Sequence, residues 1–340
     1  MSKKKALVLG ANGMDGSFLC ELLLKKGYEV HGTIRRNSSP DTYTQRIDHI
    51  FPAESKKYIH YADLLEGIDN LLYELQPDLV FNTAAMSHVW VSFQIPVYTF
   101  DTNATGVIRI LEGIRKLGLV KKTRMLQCSS SEQFGVTPPP QNEETVFHPV
   151  SPYGIAKLAS YWAIRAYRDG YGMFASNSIC FNHGGERRGV NFVTRKITRA
   201  VARIKLGLQK ELVLGNLDAK RDWGNSKDYV RAMLMILEHD KPDDFVISTE
   251  EYRTVKEFVE LAFDYVGLDP WKYVKINDVF HRVNEVPALK GKSNKIRKVL
   301  GWKPEYSFKD TMEEMLEKDL SIAKKEIKPK EFKNEKSRSY

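Results

Sequence analysis

The chain has 340 residues, 42% of them hydrophobic and 28% charged, with a formal net charge of +9 at pH 7. That length can bury a large core with one accessory lobe. No run of about eighteen apolar residues exists, and residues 1–5 lead straight into an apolar strand, so neither a membrane span nor a signal peptide is expected.

The first strand, residues 6–9, enters a glycine turn and then a helix with an apolar stripe that begins near Phe18 and Leu19. Gly10, Gly13 and Gly16 follow G-x-x-G-x-x-G. Such glycines permit a tight turn and close backbone approach, and the following helix N-terminus suits a pyrophosphate. A strand at 29–33 ends in Arg35-Arg36 with no acid at its end. Arginine there accommodates a 2′-phosphate, which points to NADP over NAD, with two solvated surface arginines as the other reading.

Further strands are expected at 58–61, 79–82, 124–128 and 175–180, with helical patterns between them at 102–117 and 153–169. This alternation predicts an α/β fold, a Rossmann-type doubly wound parallel sheet with a smaller C-terminal substrate-binding lobe. Ligands of such sheets bind beyond the carboxyl ends of the strands. Asp63, the segment Asn82-Thr83-Ala84-Ala85, and Ser129 to Glu132 all fall just past such ends.

Tyr153 and Lys157 stand four apart, on one helical face. A neighbouring ammonium favours a phenolate, so Tyr153 is a candidate base near neutral pH. Glu132 is a second candidate base and Ser130 supplies a hydroxyl beside it. The set points to oxidation of an alcohol followed by movement of a proton on the neighbouring carbon. A surface Tyr and Lys packed along a helix is the alternative, and the glycine turn at the chain start counts against it.

After Cys180 the texture becomes polar, and a basic helix runs from Val193 to Leu206. Arginine forks suit phosphate oxygens, so Arg187, Arg188, Lys196 and Arg221 are candidates for holding a diphosphate. We expect residues 1–180 to form the NADP-binding domain, with about 218–250 returning to it. Residues 181–217 and 251–323 would form the nucleotide-sugar lobe. Residues 324–340 carry seven Lys/Arg and three Glu and read as a basic, disordered tail. The rest of the basic excess suits an anionic small molecule, and no zinc-finger, helix-turn-helix or RNA-binding signature points to nucleic acid. Cys20, Cys128 and Cys180 are scattered, and neither they nor the eight histidines have metal-type spacing, so no metal and a reducing cytoplasm are expected.

These residues carry a resemblance. The chain resembles an extended short-chain dehydrogenase/reductase, and within that superfamily it is similar to the GDP-mannose 4,6-dehydratase family from about Lys5 to Ala323. The similarity includes Arg35-Arg36-Asn37-Ser38-Ser39, Phe181-Asn182-His183, Arg187-Arg188-Gly189, Arg221-Asp222-Trp223-Gly224 and Leu300-Gly301-Trp302-Lys303-Pro304. It implies Ser130, Glu132, Tyr153 and Lys157 as catalytic residues. As cofactor-binding residues it implies Gly10, Asn12, Gly13, Met14, Asp15, Gly16, Arg35, Arg36, Asp63, Leu64, Ala84, Tyr153, Lys157, His183 and Arg188. As substrate-binding residues it implies Ser87, Asn182, Lys196, Gly215, Arg221, Arg282 and Glu285.

The implied reaction is redox-neutral. Sugar carbon 4 is oxidised, carbon 5 is deprotonated by Glu132, water leaves from carbon 6, and the hydride returns there. The implied partners are a GDP-sugar and further copies of the chain, as a homodimer or homotetramer. Gly184-Gly185-Glu186 replaces the family's usual Glu-Ser-Pro, which we expect to enlarge the sugar pocket. A GDP-N-acetylhexosamine or GDP-heptose therefore competes with GDP-mannose. An epimerase or 4-keto reductase of the same fold, or a non-catalytic NADP-binding scaffold, are the other classes.

Overall fold

The computed structural model describes residues 3–35, 45–277, 284 and 286–327. Seven parallel strands form its central sheet: β1 (Lys5–Leu9), β2 (Glu29–Ile34), β3 (Ile59–Tyr61), β4 (Leu79–Asn82), β5 (Arg124–Ser130), β6 (Ala175–Cys180) and, much later in the chain, β11 (Asp244–Ile247). Short strands β7 (His183–Gly184), β8 (Leu212–Leu214), β9 (Lys220–Arg221) and β10 (Gly224–Asn225) precede β11 in the chain, and the spatial order of the sheet is β11-β6-β5-β4-β1-β2-β3. The order reverses between β1 and β4, and a crevice opens beyond the strand ends at such a switch point.

Alternation along β1 sends side chains to both faces. Ala6 and Val8 join a core with Phe18, Leu19, Met233, Leu237 and Trp302, beneath α1 (Met14–Lys25) and α8 (Ser226–Glu238). Leu7 and Leu9 join the opposite core with Leu72, Val80, Ile110 and Ile164, beneath α2 (Ile68–Leu75), α5 (Gly106–Lys116) and α6 (Pro152–Tyr171). A separate core packs α7 (Val193–Lys205), α9 (Val255–Tyr265) and α11 (Phe308–Ile327) around Val201, Phe258, Phe263, Met312 and Leu316. The short helices α3 (Val89–Gln94), α4 (Pro96–Phe100) and α10 (Asn294–Leu300) complete the order.

Three local readings change. The helix expected over 102–117 begins as a π-helical turn, Asp101–Thr105, before α5. That turn carries Asn103, whose amide accepts from Met86 N (2.8 Å) and donates to Met86 O (2.9 Å), fixing the chain just past β4. Tyr58 ends a 3₁₀ turn, so β3 starts one residue later than expected. The last helix, α11, continues to Ile327, so the segment from Lys324 begins as ordered helix.

Candidate active site

Two elements converge to build the candidate catalytic cluster. β5 ends at Ser130, whose hydroxyl caps the 3₁₀ turn Ser131–Gln133 by accepting from Glu132 N at 3.2 Å. Helix α6 begins after Ser151, whose side chain accepts from Gly154 N at 3.0 Å, with Pro152 at a first-turn position where its missing N–H costs nothing. Gly154 lets the helix start abut the turn, since a Cβ there would lie 2.7 Å from Glu132 O. Tyr153 N donates to Ser92 Oγ at 3.2 Å. Ser130, Glu132, Tyr153 and Lys157 thereby share one site, each no more than 9% exposed.

The electrostatics depart from the expectation for Tyr153. Burial pushes its phenol up, and a hydrogen bond from Ser130 pulls the other way, while the charge of Glu132 adds to the rise. Lys157 stands beside the ring but bonds the strand, not the phenol. Its ammonium lies 5.8 Å from the Tyr153 ring centroid and donates to Cys128 O at 2.7 Å. Burial lowers Lys157 from its ordinary value. The Ser130 hydrogen bond, and more weakly the Arg188 charge, favour the charged form of Tyr153 against its burial.

The glycine turn lies at the switch point. Gly10 has φ +80, and a Cβ there would lie 2.9 Å from Ala84 Cα, so the turns after β1 and β4 touch. Gly16 needs its lack of a side chain more, since a Cβ would lie 2.2 Å from Gly10 O. Gly13 is the N-cap of α1 and provides no side-chain cap, leaving first-turn N–H groups for an anion. Met14 is buried, and Leu64 is buried against Gly106. At the end of β2, Arg35 donates to the Tyr98 hydroxyl and sits 4.0 Å from Asp63. Arg36 lies outside the described residues.

Asp15 and His183 close the crevice from opposite sides. His183 Nε2 is 3.0 Å from both Asp15 oxygens, and Nδ1 is 2.8 Å from Phe181 O. Both ring nitrogens face acceptors that have no hydrogen to give, so the imidazole carries two protons and the pair is an ion pair. Ser226 also donates to Asp15, and His183 stacks on Tyr229 at 4.3 Å. Burial opposes both charges. The attraction overcomes it, holding Asp15 below and His183 above their ordinary values. Asp15 thus acts inside the protein, its carboxylate committed to His183 and Ser226.

Arg188 fits an anionic dinucleotide. Its guanidinium lies 3.8 Å over the Phe192 ring, and its buried Nε has no hydrogen-bond partner. With the glycine turn, this unpaired N–H is what a phosphate-bearing cofactor needs. Arg46 joins the two sides, donating to Asn12 O at 3.2 Å and to Arg187 O at 2.8 Å.

The residues expected to bind substrate are more dispersed. Asn182 lies past β6 with a buried, unpartnered Oδ1. Lys196 stands on α7, half-buried, with burial lowering its ammonium. Gly215 follows β8 (Leu212–Leu214), and Ser87 is exposed past β4. Arg221 is buried and donates to Lys220 O at 2.9 Å. Arg187, a candidate for the diphosphate, pairs instead with Glu21 at 2.6 Å and covers the Phe18 ring. Arg282 and Glu285 lie outside the described residues. Gly184 and Gly185 do not widen a pocket. Both are buried, and their Cβ directions point at Met315 and Thr194, and at Phe18 and Ser226.

This parallel sheet with a glycine turn at its switch point and a Ser-Glu-Tyr-Lys cluster past β5 defines an extended short-chain dehydrogenase/reductase. Solved structures share the fold, among them RMD from Pseudomonas aeruginosa complexed with NADPH (TM-score 0.77, 24% identity, 94% of this chain and 98% of that one). Another is dTDP-glucose 4,6-dehydratase from Bacillus anthracis with NAD (TM-score 0.79, 21% identity, 93% and 96%). The GDP-mannose 4,6 dehydratase family model matches residues 7–315. GDP-mannose 4,6 dehydratase 2 of Arabidopsis thaliana is 50% identical over 334 residues, covering 95% of this chain and 89% of that protein. The Vibrio cholerae GDP-mannose 4,6-dehydratase is 45% identical, covering 95% of each. The chain belongs to the GDP-mannose 4,6-dehydratase family.

The Asp15–His183 pair sets a pH dependence. A raised His183 stabilises the fold fully below the ordinary imidazole value of 6.5, and this is lost as pH rises through its folded value. A lowered Asp15 stabilises above the ordinary carboxylate value of 3.8, and this is lost as pH falls through its folded value. The pair's contribution is therefore complete between these limits and declines on either side. Asp15→Asn is expected to cost about 3 kcal/mol within that window and to flatten the dependence, as measured by denaturant unfolding across pH.

Proposed function

We propose that this chain is an NADP-dependent GDP-mannose 4,6-dehydratase. The observation that carries the reading is the buried Glu132 beside Ser130 and Tyr153 at the end of β5. Tyr153 and Lys157 alone describe alcohol oxidation, whereas a second buried acid adds a base for carbon. When bound, a nicotinamide would supply the acceptor for the hydride leaving sugar carbon 4 and the donor that returns it to carbon 6.

The chain's own residues move the protons. Tyr153 takes the proton of the carbon-4 hydroxyl, with Ser130 stabilising the charge by its hydrogen bond. The resulting ketone acidifies the neighbouring hydrogen, which Glu132 removes from carbon 5. Glu132, assisted by Ser130, passes its proton to the leaving carbon-6 hydroxyl, which departs as water; carbon 5 is then reprotonated by solvent as the hydride returns to carbon 6, and Tyr153 releases the proton it took. Lys157, anchored on Cys128 O, orients the ribose side of the cofactor and keeps a positive charge near Tyr153. Burial of the whole set excludes bulk water from the carbanion-like intermediate.

The preference for NADP rests on Arg35 at the end of β2, a cation where an acid would favour NAD. GDP-mannose is the substrate favoured, because Gly184 and Gly185 face protein atoms and open no extra room for a larger sugar. We also propose a homodimer formed through α5 and α6, supported by the exposed apolar Ile108, Ile155 and Trp162. Reducing cytoplasm suits the three free cysteines.

Glu132→Gln is expected to lower dehydration of GDP-mannose by at least about 100-fold while the 4-keto sugar still forms, detected as cofactor reduction at 340 nm in single turnover. Unchanged dehydration would remove Glu132 from the mechanism. Arg35→Ala should weaken NADP binding by about tenfold or more with little effect on NAD, measured by titration. An equal loss for both cofactors would overturn the assignment of the 2′-phosphate to this strand end.

A further inference from the structure

The turn that presents Arg188 is built in an unusual way. Arg188 N donates to Gly185 O at 2.9 Å, closing the turn. Its next three carbonyls are each held by a guanidinium from elsewhere in the chain. Arg195 Nη1 donates to Glu186 O at 2.8 Å and to Arg188 O at 3.0 Å, while Arg46 Nε donates to Arg187 O at 2.8 Å. Arg195 is itself buried and anchored on Asp319, through Nε at 2.8 Å and Nη2 at 2.7 Å. Thr198 donates to the second Asp319 oxygen at 2.7 Å, so both carboxylate oxygens are engaged.

This arrangement answers a physical difficulty. Arg188 must hold its Nε unpaired in a buried setting, and burial works against its charge. A floppy turn would let the guanidinium escape to water. Fixing the backbone on both sides of Arg187 removes that route and leaves the side chain over Phe192. The ion pair also spans α7 and α11, elements of the separate core, so that core supports the cofactor crevice from behind.

We infer that Arg195, braced by Asp319, is a positioning residue that acts through Arg188 to set cofactor affinity. The inference rests on the reading of Arg188 as a cofactor-phosphate ligand. Lysine cannot reproduce the fork, because one ammonium cannot engage the carboxylate and two carbonyls in the same plane.

The test is a double-mutant cycle on the full-length protein, with NADPH dissociation constants read by fluorescence. Arg195→Lys is expected to weaken NADPH binding about 10- to 100-fold, the range seen when residues supporting a ligand contact are lost, with KM for GDP-mannose moving less. Arg188→Ala alone should weaken it at least as much. Adding Arg195→Lys to Arg188→Ala should produce no further loss, because Arg195 then has nothing to position. Asp319→Asn should reproduce the Arg195→Lys pattern, and circular dichroism confirms folding of each variant. If Arg195→Lys leaves NADPH affinity intact while Arg188→Ala reduces it, the positioning role is wrong and the Arg188 reading stands. An equal loss from Arg195→Lys in both backgrounds also overturns the positioning role, pointing to general destabilisation. If Arg188→Ala leaves affinity unchanged, the reading of Arg188 itself fails, and the positioning role with it.

Discussion

A partly buried ion pair, Asp15 with His183, ties together the two walls of the crevice. Asp15 stands in the first turn of α1, directly after the glycine turn, and His183 lies just past β6. Ser226 at the start of α8 donates to the same carboxylate. Three elements that never meet in sequence are thereby registered against one another. Such a pair contributes modestly to net stability, since desolvation offsets much of the attraction, but its geometry is demanding. Together with Arg46, which bridges Asn12 O and Arg187 O, it registers the glycine turn against the Arg188 turn, so a dinucleotide bridging them would meet a defined gap.

The catalytic cluster depends on the same economy of backbone contacts. Ser130 holds the Glu132 amide, Gly154 lets α6 approach that turn, and the Cys128 carbonyl holds Lys157. None of these is a reacting group interaction, yet together they decide where the reacting groups lie. Burial then sets their chemistry. Burial raises the Tyr153 phenol, and under the proposed mechanism this residue takes a proton and gives it back. Glu132 is buried in the same cluster, and the proposed elimination rests on it.

Features that depend on local spacing were legible in the sequence. The glycine turn, the alternating strands and the Tyr153–Lys157 helical face all follow from side-chain periodicity and backbone permissiveness over a few residues. What escaped depends on pairs distant in sequence. Asp15 reaches His183 across 168 positions and Arg195 reaches Asp319 across 124, and nothing in either neighbourhood announces the partner. Helical spacing places Lys157 beside Tyr153, yet only the fold shows its ammonium anchored on the Cys128 carbonyl of the adjacent strand. Whether Gly184 and Gly185 open space is likewise invisible to local spacing. A missing side chain opens space only if its Cβ points into the cavity, and here both point into protein.

Family membership, fold and site converge on a reaction that neither consumes nor accumulates reduced cofactor. The most direct test is to supply GDP-mannose deuterated at carbon 4, with only catalytic NADP, and locate the label in the product by mass spectrometry and NMR. The account predicts a 4-keto-6-deoxy product that retains the deuterium at carbon 6, with solvent-derived hydrogen at carbon 5. Loss of the deuterium to solvent, or product formation that requires stoichiometric NADP, would contradict it.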